Sequence, residues 1–353
     1  MAPTIQSPIL ELFGIRYPVL LAGMAKVSNS ELCAAVTNAG GLGVIGGAMK
    51  TPEQLQRDID EIKATLKDPS DPFGVDLLLP SVGGSARKTN YDYTKGTLGQ
   101  LVEILCKEKP KLFVSAVGVP PKWAVEKLHE AGVLVANMVG HPKHCQKALD
   151  VGVDILIAQG HEAGGHTGEI ATSVLVPQCV DAAKGHTSPL HGGPVHVLAA
   201  GGIYDGRGIA MAMALGAQGV WVGTRFIAAS ESGATPMHQR LVLEKNSGDT
   251  IRTTIYTGRP LRAVKNEYNL DWENNRREEI KALESKGVVV YKNDVYTARE
   301  KGEDFDIAGT YPQYVGQAIG GIHEVKPAAA IVEEMMEDAC RILGENAALV
   351  SKL

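Results

Sequence analysis

The sequence is poor in aromatic residues, in cysteine and in long apolar runs. Only 5% of its 353 residues are Phe, Trp or Tyr. No apolar run reaches the ~18 residues that a membrane-spanning helix requires, so we expect no membrane partner. The five cysteines form no Cys-x-x-Cys pair, which argues against both a zinc site and a disulfide framework. We therefore predict no bound metal.

Strong charge of either sign is also missing. The formal net charge is −5, which argues against nucleic acid or an anionic membrane as the main partner. No Gly-x-Gly-x-x-Gly motif opens the first predicted helix, and this weakens the case for a doubly wound dinucleotide-binding sheet. Glycine is abundant instead, and its 40 residues suit an α/β enzyme with many tight turns. The sequence does not define an oligomeric state.

Short apolar runs alternate with amphipathic stretches over the first 230 residues. Eight runs predict buried strands, at 18–23, 42–46, 73–79, 112–118, 134–139, 154–159, 195–200 and 219–223. Helical patterns lie between them at 30–39, 52–66, 98–107, 122–131 and 142–151. Eight such alternations with right-handed crossovers fit a TIM-type (β/α)8 barrel, of the α/β class, better than an open doubly wound sheet.

The alternation stops near residue 230, and this change divides the chain into three parts. Residues 1–230 are predicted to form the barrel. Residues 231–312 have few apolar runs and a mixed charged cluster, so we expect a smaller, mainly helical substrate or lid domain inserted after the eighth strand. Residues 313–353 are expected to return to the barrel. The long polar stretch at 80–93, here called the tyrosine loop, predicts either a lid over an apolar pocket or an oligomer contact.

The loop that follows the strand at 154–159 is a candidate active site. It is polar and rich in glycine and contains His166. Loops at the carboxyl ends of buried parallel strands are where α/β folds place their chemistry. Histidine titrates near neutral pH and can transfer a proton. The loop alone leaves a catalytic histidine and an incidental surface histidine about equally open.

The loops after the seventh and eighth predicted strands have matching chemistry. In barrels these two loops commonly bind a phosphate group through backbone N–H groups. The residues predicted to do so, here called the phosphate cradle, are Gly201, Gly202, Gly223 and Thr224. The first predicted strand also ends in small residues, Ala22 and Gly23, where backbone amides can approach a ligand.

Together these segments resemble the nitronate monooxygenases, formerly called 2-nitropropane dioxygenases. The resemblance covers nearly the whole chain in order. Its segments are Ala22-Gly-Met-Ala25, Asn38-Ala-Gly-Gly-Leu-Gly43, Gln159-Gly-His-Glu-Ala-Gly-Gly-His166, Ala200-Gly-Gly-Ile203, Gly223-Thr-Arg-Phe226, Thr257-Gly-Arg-Pro260 and Gly320-Gly-Ile-His323. The central Glu-Ala-Gly-Gly-His segment is shared with flavin-type enoyl-acyl carrier protein reductases and with some NAD(P)H:quinone reductases.

The resemblance implies non-covalently bound FMN at the mouth of the barrel. Gly23 and Met24, which follow Ala22, would lie against the isoalloxazine ring. Gln159 would hydrogen-bond the polar edge of the ring, and Gly164 would pass close to it. The phosphate cradle would hold the FMN phosphate, and the catalytic residue would be His166. Where the family often has Phe-Gly-x-Asn, this chain has Phe73-Gly-Val-Asp76, which alters charge and hydrogen bonding at the flavin.

The implied activity is oxidative denitrification of alkyl nitronates, and of nitroalkanes, by FMN and O2. One alternative is a flavin reductase that passes hydride from NAD(P)H to a quinone or an enoyl thioester, although the sequence has no dinucleotide fingerprint. Another is a barrel that only binds a ligand. The chain ends in Ser351-Lys352-Leu353, read as a peroxisomal address. We therefore expect the peroxisomal import receptor as a partner in a eukaryotic host, and otherwise a cytoplasmic protein.

Overall fold

The computed structural model describes residues 4–84 and 86–349. The predicted import signal, Ser351-Lys352-Leu353, lies outside the described residues. Within them no helix is long and apolar enough to cross a membrane. The same ranges contain no group of three or more His, Cys, Asp or Glu side chains arranged to hold a metal ion.

Eight parallel strands form the central sheet, and all eight predicted strands are present. They pair in the order β1-β9-β8-β6-β5-β4-β3-β2, and a parallel bridge between Leu20 and Leu42 joins the two ends. The sheet therefore closes into the predicted (β/α)8 barrel. The strands of the described chain are β1 (Val19–Leu21), β2 (Gly43–Gly46), β3 (Phe73–Leu78), β4 (Leu112–Val117), β5 (Leu134–Val139), β6 (Ile155–Gln159), β7 (Gly165–His166), β8 (His196–Ala200), β9 (Gly219–Val222), β10 (Thr250–Thr253) and β11 (Leu261–Val264).

Helices follow the barrel strands and continue through the last third of the chain. Several begin at side chains that accept a hydrogen bond from the first turn, such as Asn29, Thr51 and Asp205. The helices are α1 (Pro8–Phe13), α2 (Ser30–Asn38), α3 (Pro52–Thr65), α4 (Leu98–Glu108), α5 (Lys122–Glu130), α6 (Cys145–Asp150), α7 (Thr172–Ala183), α8 (Gly206–Ala214), α9 (Thr224–Ile227), α10 (Pro236–Glu244), α11 (Glu267–Asn275), α12 (Arg277–Ser285), α13 (Val290–Lys301), α14 (Ile307–Thr310) and α15 (Ala328–Ala348).

Two apolar clusters stabilise the barrel. The outer cluster lies between the strands and the surrounding helices, including α15. The inner cluster fills the barrel with side chains such as Leu20, Val114 and Ile157, together with Ile9 and Phe13 of α1. Helix α1 packs at the amino end of the strands, where Gly219 leaves room for Ile9. The barrel interior is thus a packed core closed at its amino end, and the carboxyl end remains for ligands.

The inserted segment 231–312 is largely helical, as predicted, but it also contributes to a three-stranded antiparallel sheet. This small sheet has the order β10-β11-β7, and Leu261 of β11 pairs with His166 of β7. Neither β10 nor β11 is predicted from the sequence, because each is four residues long and charged side chains, Arg252 and Arg262, interrupt its apolar pattern. The loop after β6 that contains His166, here called the histidine loop, is therefore hydrogen-bonded to the insertion.

Candidate active site at the barrel mouth

The structure brings the predicted site residues to the carboxyl ends of the barrel strands. Ala22, Gly23 and Met24 follow β1, Asp76 lies in the second half of β3, and Gln159 ends β6. The phosphate cradle follows β8 and β9. Residues after β1 touch those after β9, since a Cβ on Gly223 would lie 3.4 Å from both Met24 Sδ and Ala22 Cβ.

Gly23 and Asp76 approach each other closely across the mouth. A Cβ on Gly23 would lie 2.7 Å from Cγ of Asp76, closer than real Cβ contacts, so only glycine fits beside this carboxyl group. Asp76 is 2% exposed, and its Oδ1 atom has no hydrogen-bond partner among the described residues. Burial raises the pKa of Asp76 well above the ordinary value of an aspartate.

The phosphate cradle has the backbone conformation that anion binding requires. Gly201 and Gly202 have φ angles of +97° and +76°, which glycine adopts without strain. Within the described chain, the N–H groups of Gly201, Gly202 and Gly223 donate to no backbone carbonyl. All three glycines are half-buried, so their N–H groups are accessible to a ligand. Backbone donors on neighbouring strand loops therefore fit a phosphate group.

Thr224 and Gly164 lie next to the segment that returns from the insertion. The Thr224 hydroxyl accepts a hydrogen bond of 2.9 Å from the N–H of Gly316, and its own proton remains available for a ligand. A Cβ on Gly164 would lie 2.9 Å from Cα of Val315. Gly164 is thus required for close packing against the returning chain, a role that sequence reasoning does not assign to it.

His166 is held at the edge of the small sheet. Its Nε2 atom lies 3.0 Å from the hydroxyl oxygen of Thr257. Burial, and then the nearby Arg259 guanidinium, lower the pKa of His166 to about 4, against an ordinary value of 6.5. His166 is therefore neutral at physiological pH and has a lone pair that can accept a proton.

Arg259 is the principal site residue that sequence reasoning missed. It lies in the Thr257-Gly-Arg-Pro260 turn. This segment is one of those that resemble the family, but the sequence assigns no function to its arginine. Its Nε donates to Oδ1 of Asn90 at 2.9 Å, and it forms no salt bridge with any described residue. Burial, followed by the charge of Arg87, lowers the pKa of Arg259 from its ordinary value. A partly buried guanidinium without a carboxylate partner is suited to an anionic ligand.

The tyrosine loop packs onto the same turn. Arg87 and the Thr89 hydroxyl both donate to the carbonyl of Gly258, at 3.3 and 3.4 Å. Gly258 has a φ of +70°, and a Cβ there would lie 2.7 Å from Cγ2 of Thr89. Tyr93 is 8% exposed. The tyrosine loop therefore packs against the turn that contains Thr257 and Arg259, and its role as a lid stays a prediction.

Glu162 fixes the shape of the histidine loop. Its carboxylate accepts hydrogen bonds from the N–H and hydroxyl groups of Thr172, at 3.0 and 2.9 Å. The Thr172 hydroxyl also lies 2.9 Å from the carbonyl oxygen of Gly201. Glu162 thus links the histidine loop to the phosphate cradle through the first residue of α7. The place of Glu162 in the Glu-Ala-Gly-Gly-His segment does not by itself reveal this structural role.

Two cavities in the structure do not include the predicted site residues. One, of about 320 Å³, lies between Arg225, Tyr204 and α15. The other, of about 330 Å³, lies between β10 and α12. Both are lined by charges of both signs and neither includes His166 or the phosphate cradle. The unpaired groups at the mouth, rather than these cavities, indicate the reaction site.

The residues at the mouth fit a flavin mononucleotide. The phosphate cradle supplies N–H donors that have no backbone partner. Asp76, which lies against Gly23, and Gln159 at the end of β6 supply polar groups at the same mouth. These features match the site that the sequence resemblance implies, although Asp76 replaces the usual amide.

Comparisons with known proteins identify a matching family and several similar enzymes. A family model described as nitronate monooxygenase matches residues 6–338. The chain is 33% identical to a "probable nitronate monooxygenase" of Staphylococcus haemolyticus, over 74% of this chain and 78% of the relative. It is 35% identical to a (3aS,4S,5R,7aS)-5-hydroxy-7a-methyl-1-oxo-octahydro-1H-indene-4-carboxyl-CoA dehydrogenase of Mycobacterium tuberculosis, over 74% of this chain and 67% of that protein.

Solved structures show the same fold. FabK from Thermotoga maritima superposes with a TM-score of 0.77 at 29% identity, covering 98% of this chain and all of that one. Nitroalkane oxidase from Streptomyces ansochromogenes superposes with a TM-score of 0.75 at 26% identity, covering 97% of this chain and 99% of that one. The similarity extends over the barrel and the insertion together.

Proposed function

Because the chain belongs to the nitronate monooxygenase family of flavin oxidoreductases, we propose that it binds FMN at the barrel mouth and oxidises alkyl nitronates and nitroalkanes with O2. The observation that carries this proposal is the pairing of a neutral histidine with an unpaired guanidinium. His166 has a pKa of about 4 because of burial and Arg259. Such a pair can accept a proton and stabilise the anion that remains.

In this proposal, different residues at the mouth carry out cofactor binding and proton transfer. The phosphate cradle anchors FMN, and Gly23 and Met24 support its ring. Bound FMN supplies the electron acceptor for the substrate and the site of reaction with O2. The tyrosine loop and the small sheet would limit the access of water to the bound cofactor.

His166 acts first on a neutral nitroalkane. Its free imidazole nitrogen removes the proton from the carbon that bears the nitro group, and the negative charge moves onto the nitro oxygens. Arg259 attracts these oxygens because its guanidinium has no carboxylate partner among the described residues. The imidazolium that forms is destabilised by burial and by the guanidinium, so it readily releases its proton.

A preformed nitronate enters the reaction after this step. It is already an anion, so it needs binding and orientation over the flavin but no base. Arg259 provides the attraction, and Thr257 keeps His166 in place. Turnover of nitronates is therefore expected to depend less on His166 than turnover of neutral nitroalkanes.

A second candidate function is oxidation or reduction of a coenzyme A thioester. A cluster of cations favours it: Arg87, Lys88, Arg259 and Lys292 lie around the tyrosine loop, and none forms a salt bridge within residues 4–84 and 86–349. In a chain of net charge −5, a local excess of positive charge attracts phosphate-bearing molecules. The 35% identical relative from Mycobacterium tuberculosis is named as a carboxyl-CoA dehydrogenase.

Anaerobic mixing experiments distinguish these functions. The visible spectrum of the FMN-loaded protein is recorded with excess NADPH, with NADH, and with the nitronate of 1-nitropropane. Bleaching by the nitronate alone supports the proposed function. Rapid bleaching by NAD(P)H instead assigns a reductase, and an enoyl-CoA is then tested as the acceptor that reoxidises the flavin and is itself reduced to the saturated thioester. A protein that binds no flavin contradicts both functions.

A further inference from the structure

Asp76 is a buried carboxyl group without the partners that such groups normally have. It is 2% exposed, and Oδ1 makes no hydrogen bond with any described residue. An ionised carboxylate in this position would be very costly, because neither a cation nor N–H donors compensate its charge. A neutral carboxylic acid costs much less, but its O–H group still needs an acceptor.

Among residues 4–84 and 86–349, no charged or hydrogen-bonding group contributes to the pKa shift of Asp76. Beside it are the loop after β1, the end of β2 and the neighbouring strand β4, which contribute Gly23, Gly46, Gly47 and Val114. Gly47 donates its N–H to the backbone carbonyl of Asp76, not to the side chain. Burial is the one cause that raises the pKa of Asp76. The carboxyl group therefore lacks both a charge partner and a proton acceptor in the surrounding chain.

A bound flavin would supply the hydrogen-bond acceptor that Asp76 lacks. The carboxyl group lies against Gly23, which the flavin ring is expected to contact, and an oxidised flavin ring presents carbonyl oxygens and ring nitrogens along its polar side. We propose that Asp76 keeps its proton in the native enzyme and donates it in a hydrogen bond to the bound flavin, an inference that rests on the FMN site proposed above. Asp76 is then a cofactor-binding acid in the place of the family's usual amide.

Unlike an amide, an acid at this position makes the cofactor sensitive to pH. An asparagine donates through its NH2 group at every pH. Asp76 loses its donor and gains a negative charge once it ionises. Ionised Asp76 repels the flavin acceptor, and it also opposes the negative charge that a flavin gains on reduction. Flavin affinity and reduction potential are therefore both expected to fall as Asp76 ionises.

The Asp76→Asn variant tests this coupling, because the amide has nearly the same size and shape. FMN is added to the apoproteins of both forms, and its dissociation constant is measured by flavin fluorescence from about pH 5 to about pH 9, where raised carboxyl pKa values fall. In the ratio of the two dissociation constants, the effects of all other titrating groups cancel, including those of His166 and of the phosphate group. The midpoint potential of the bound flavin is measured over the same range.

At low pH the two proteins are expected to bind FMN within a few-fold of each other. Above the pKa of Asp76, the wild-type dissociation constant is expected to rise relative to that of Asp76→Asn by up to about tenfold per pH unit. The wild-type potential falls relative to the variant in the same range.

A ratio that stays constant with pH, in proteins that both bind FMN, overturns the role of Asp76 but leaves the proposed function intact. Failure of both proteins to bind FMN overturns the proposed function as well. Circular dichroism and thermal unfolding establish that the variant is folded. If the variant does not fold, Asp76→Ser, which carries no charge, replaces it: a ratio of wild-type to variant dissociation constants that rises with pH supports the inference, and a ratio that stays constant with pH overturns it.

Discussion

The Nε2 atom of His166 lies 3.0 Å from the hydroxyl oxygen of Thr257. The same hydroxyl lies 3.3 Å from both the carbonyl oxygen and the N–H group of Arg259. When the Thr257 proton is directed to that carbonyl, the hydroxyl oxygen accepts from Nε2–H. We therefore assign the Nε2–H tautomer to His166, which leaves Nδ1 as the base.

Replacing Thr257 with valine tests this assignment. Valine has a similar shape but cannot hold the Nε2–H tautomer, so one hydrogen bond of about 0.5–1.5 kcal/mol is lost. We expect kcat/KM for neutral nitroethane to fall about 3- to 10-fold. We also expect a change in the apparent pKa at which kcat/KM is lost in acid. Turnover of ethyl nitronate should remain near the wild-type rate. Thr254→Val, three residues earlier in the same turn, is the matched control, and equal losses on both substrates would indicate a structural defect.

Replacing His166 with asparagine removes the base. The protein should retain its flavin, because the cradle and the residues after β1 are unchanged. We expect kcat/KM for neutral nitroethane to fall by about 10²- to 10⁴-fold, the usual contribution of a general base, with a smaller loss for ethyl nitronate. The control is His144→Asn, since His144 is exposed and belongs neither to the loop of His166 nor to the phosphate cradle. Unchanged kinetics in His166→Asn would remove this residue from the mechanism.

The low pKa of His166 predicts activity in acid. A base must be unprotonated to act, so activity is present above its pKa and is lost as the pH falls through it. With a pKa of about 4, kcat/KM for nitroethane should stay nearly constant from neutral pH down to about pH 5. Its acid limb should have an apparent pKa near 4. A limb near 6.5, the ordinary histidine value, would show that the site is more hydrated than the structure indicates.

The phosphate cradle can be tested at Gly201. Alanine there must adopt a φ of +97°, and its Cβ would lie 3.0 Å from the carbonyl oxygen of Gly160. We expect Gly201→Ala to be purified with little or no FMN. Gly185→Ala is the matched control, because Gly185 also has a positive φ, +78°, but nothing lies within 4 Å of its Cβ position. Both variants should lose about 1 kcal/mol of stability from backbone strain. Equal FMN content would contradict the cradle.

The barrel and its cofactor loops are predictable from the sequence because both follow local patterns. Each of the eight barrel strands is an apolar run, and the carboxyl-end rule for barrels brings Gly23, Gly201 and Gly223 to one mouth without further information. The contact between His166 and Thr257 has no local signal, since 91 residues separate the two positions. It depends on β7 and β11, which are two and four residues long, too short for a periodic pattern.

The electrostatic features of the mouth also cannot be predicted from the sequence pattern. Asp76 can be recognised as a change from the family's amide, but its missing partner becomes visible only when its neighbours are placed around it. Arg259 similarly resembles any surface arginine until the structure shows that no carboxylate among the described residues pairs with it. Absence of a partner is a property of three-dimensional arrangement, and a linear sequence does not encode it locally.

The attachment of β7 to the small sheet separates the proposed base from the proposed cofactor site. His166 is hydrogen-bonded to a strand of the insertion, whereas Gly201, Gly202, Gly223 and Thr224 belong to the barrel. A shift of the insertion relative to the barrel would therefore carry the histidine toward or away from a flavin that itself stays fixed. Changes in the insertion can alter the distance over which the proton travels without altering any residue that holds the cofactor. If both proposed sites are correct, we expect substrate range and cofactor affinity to be separately adjustable in this architecture.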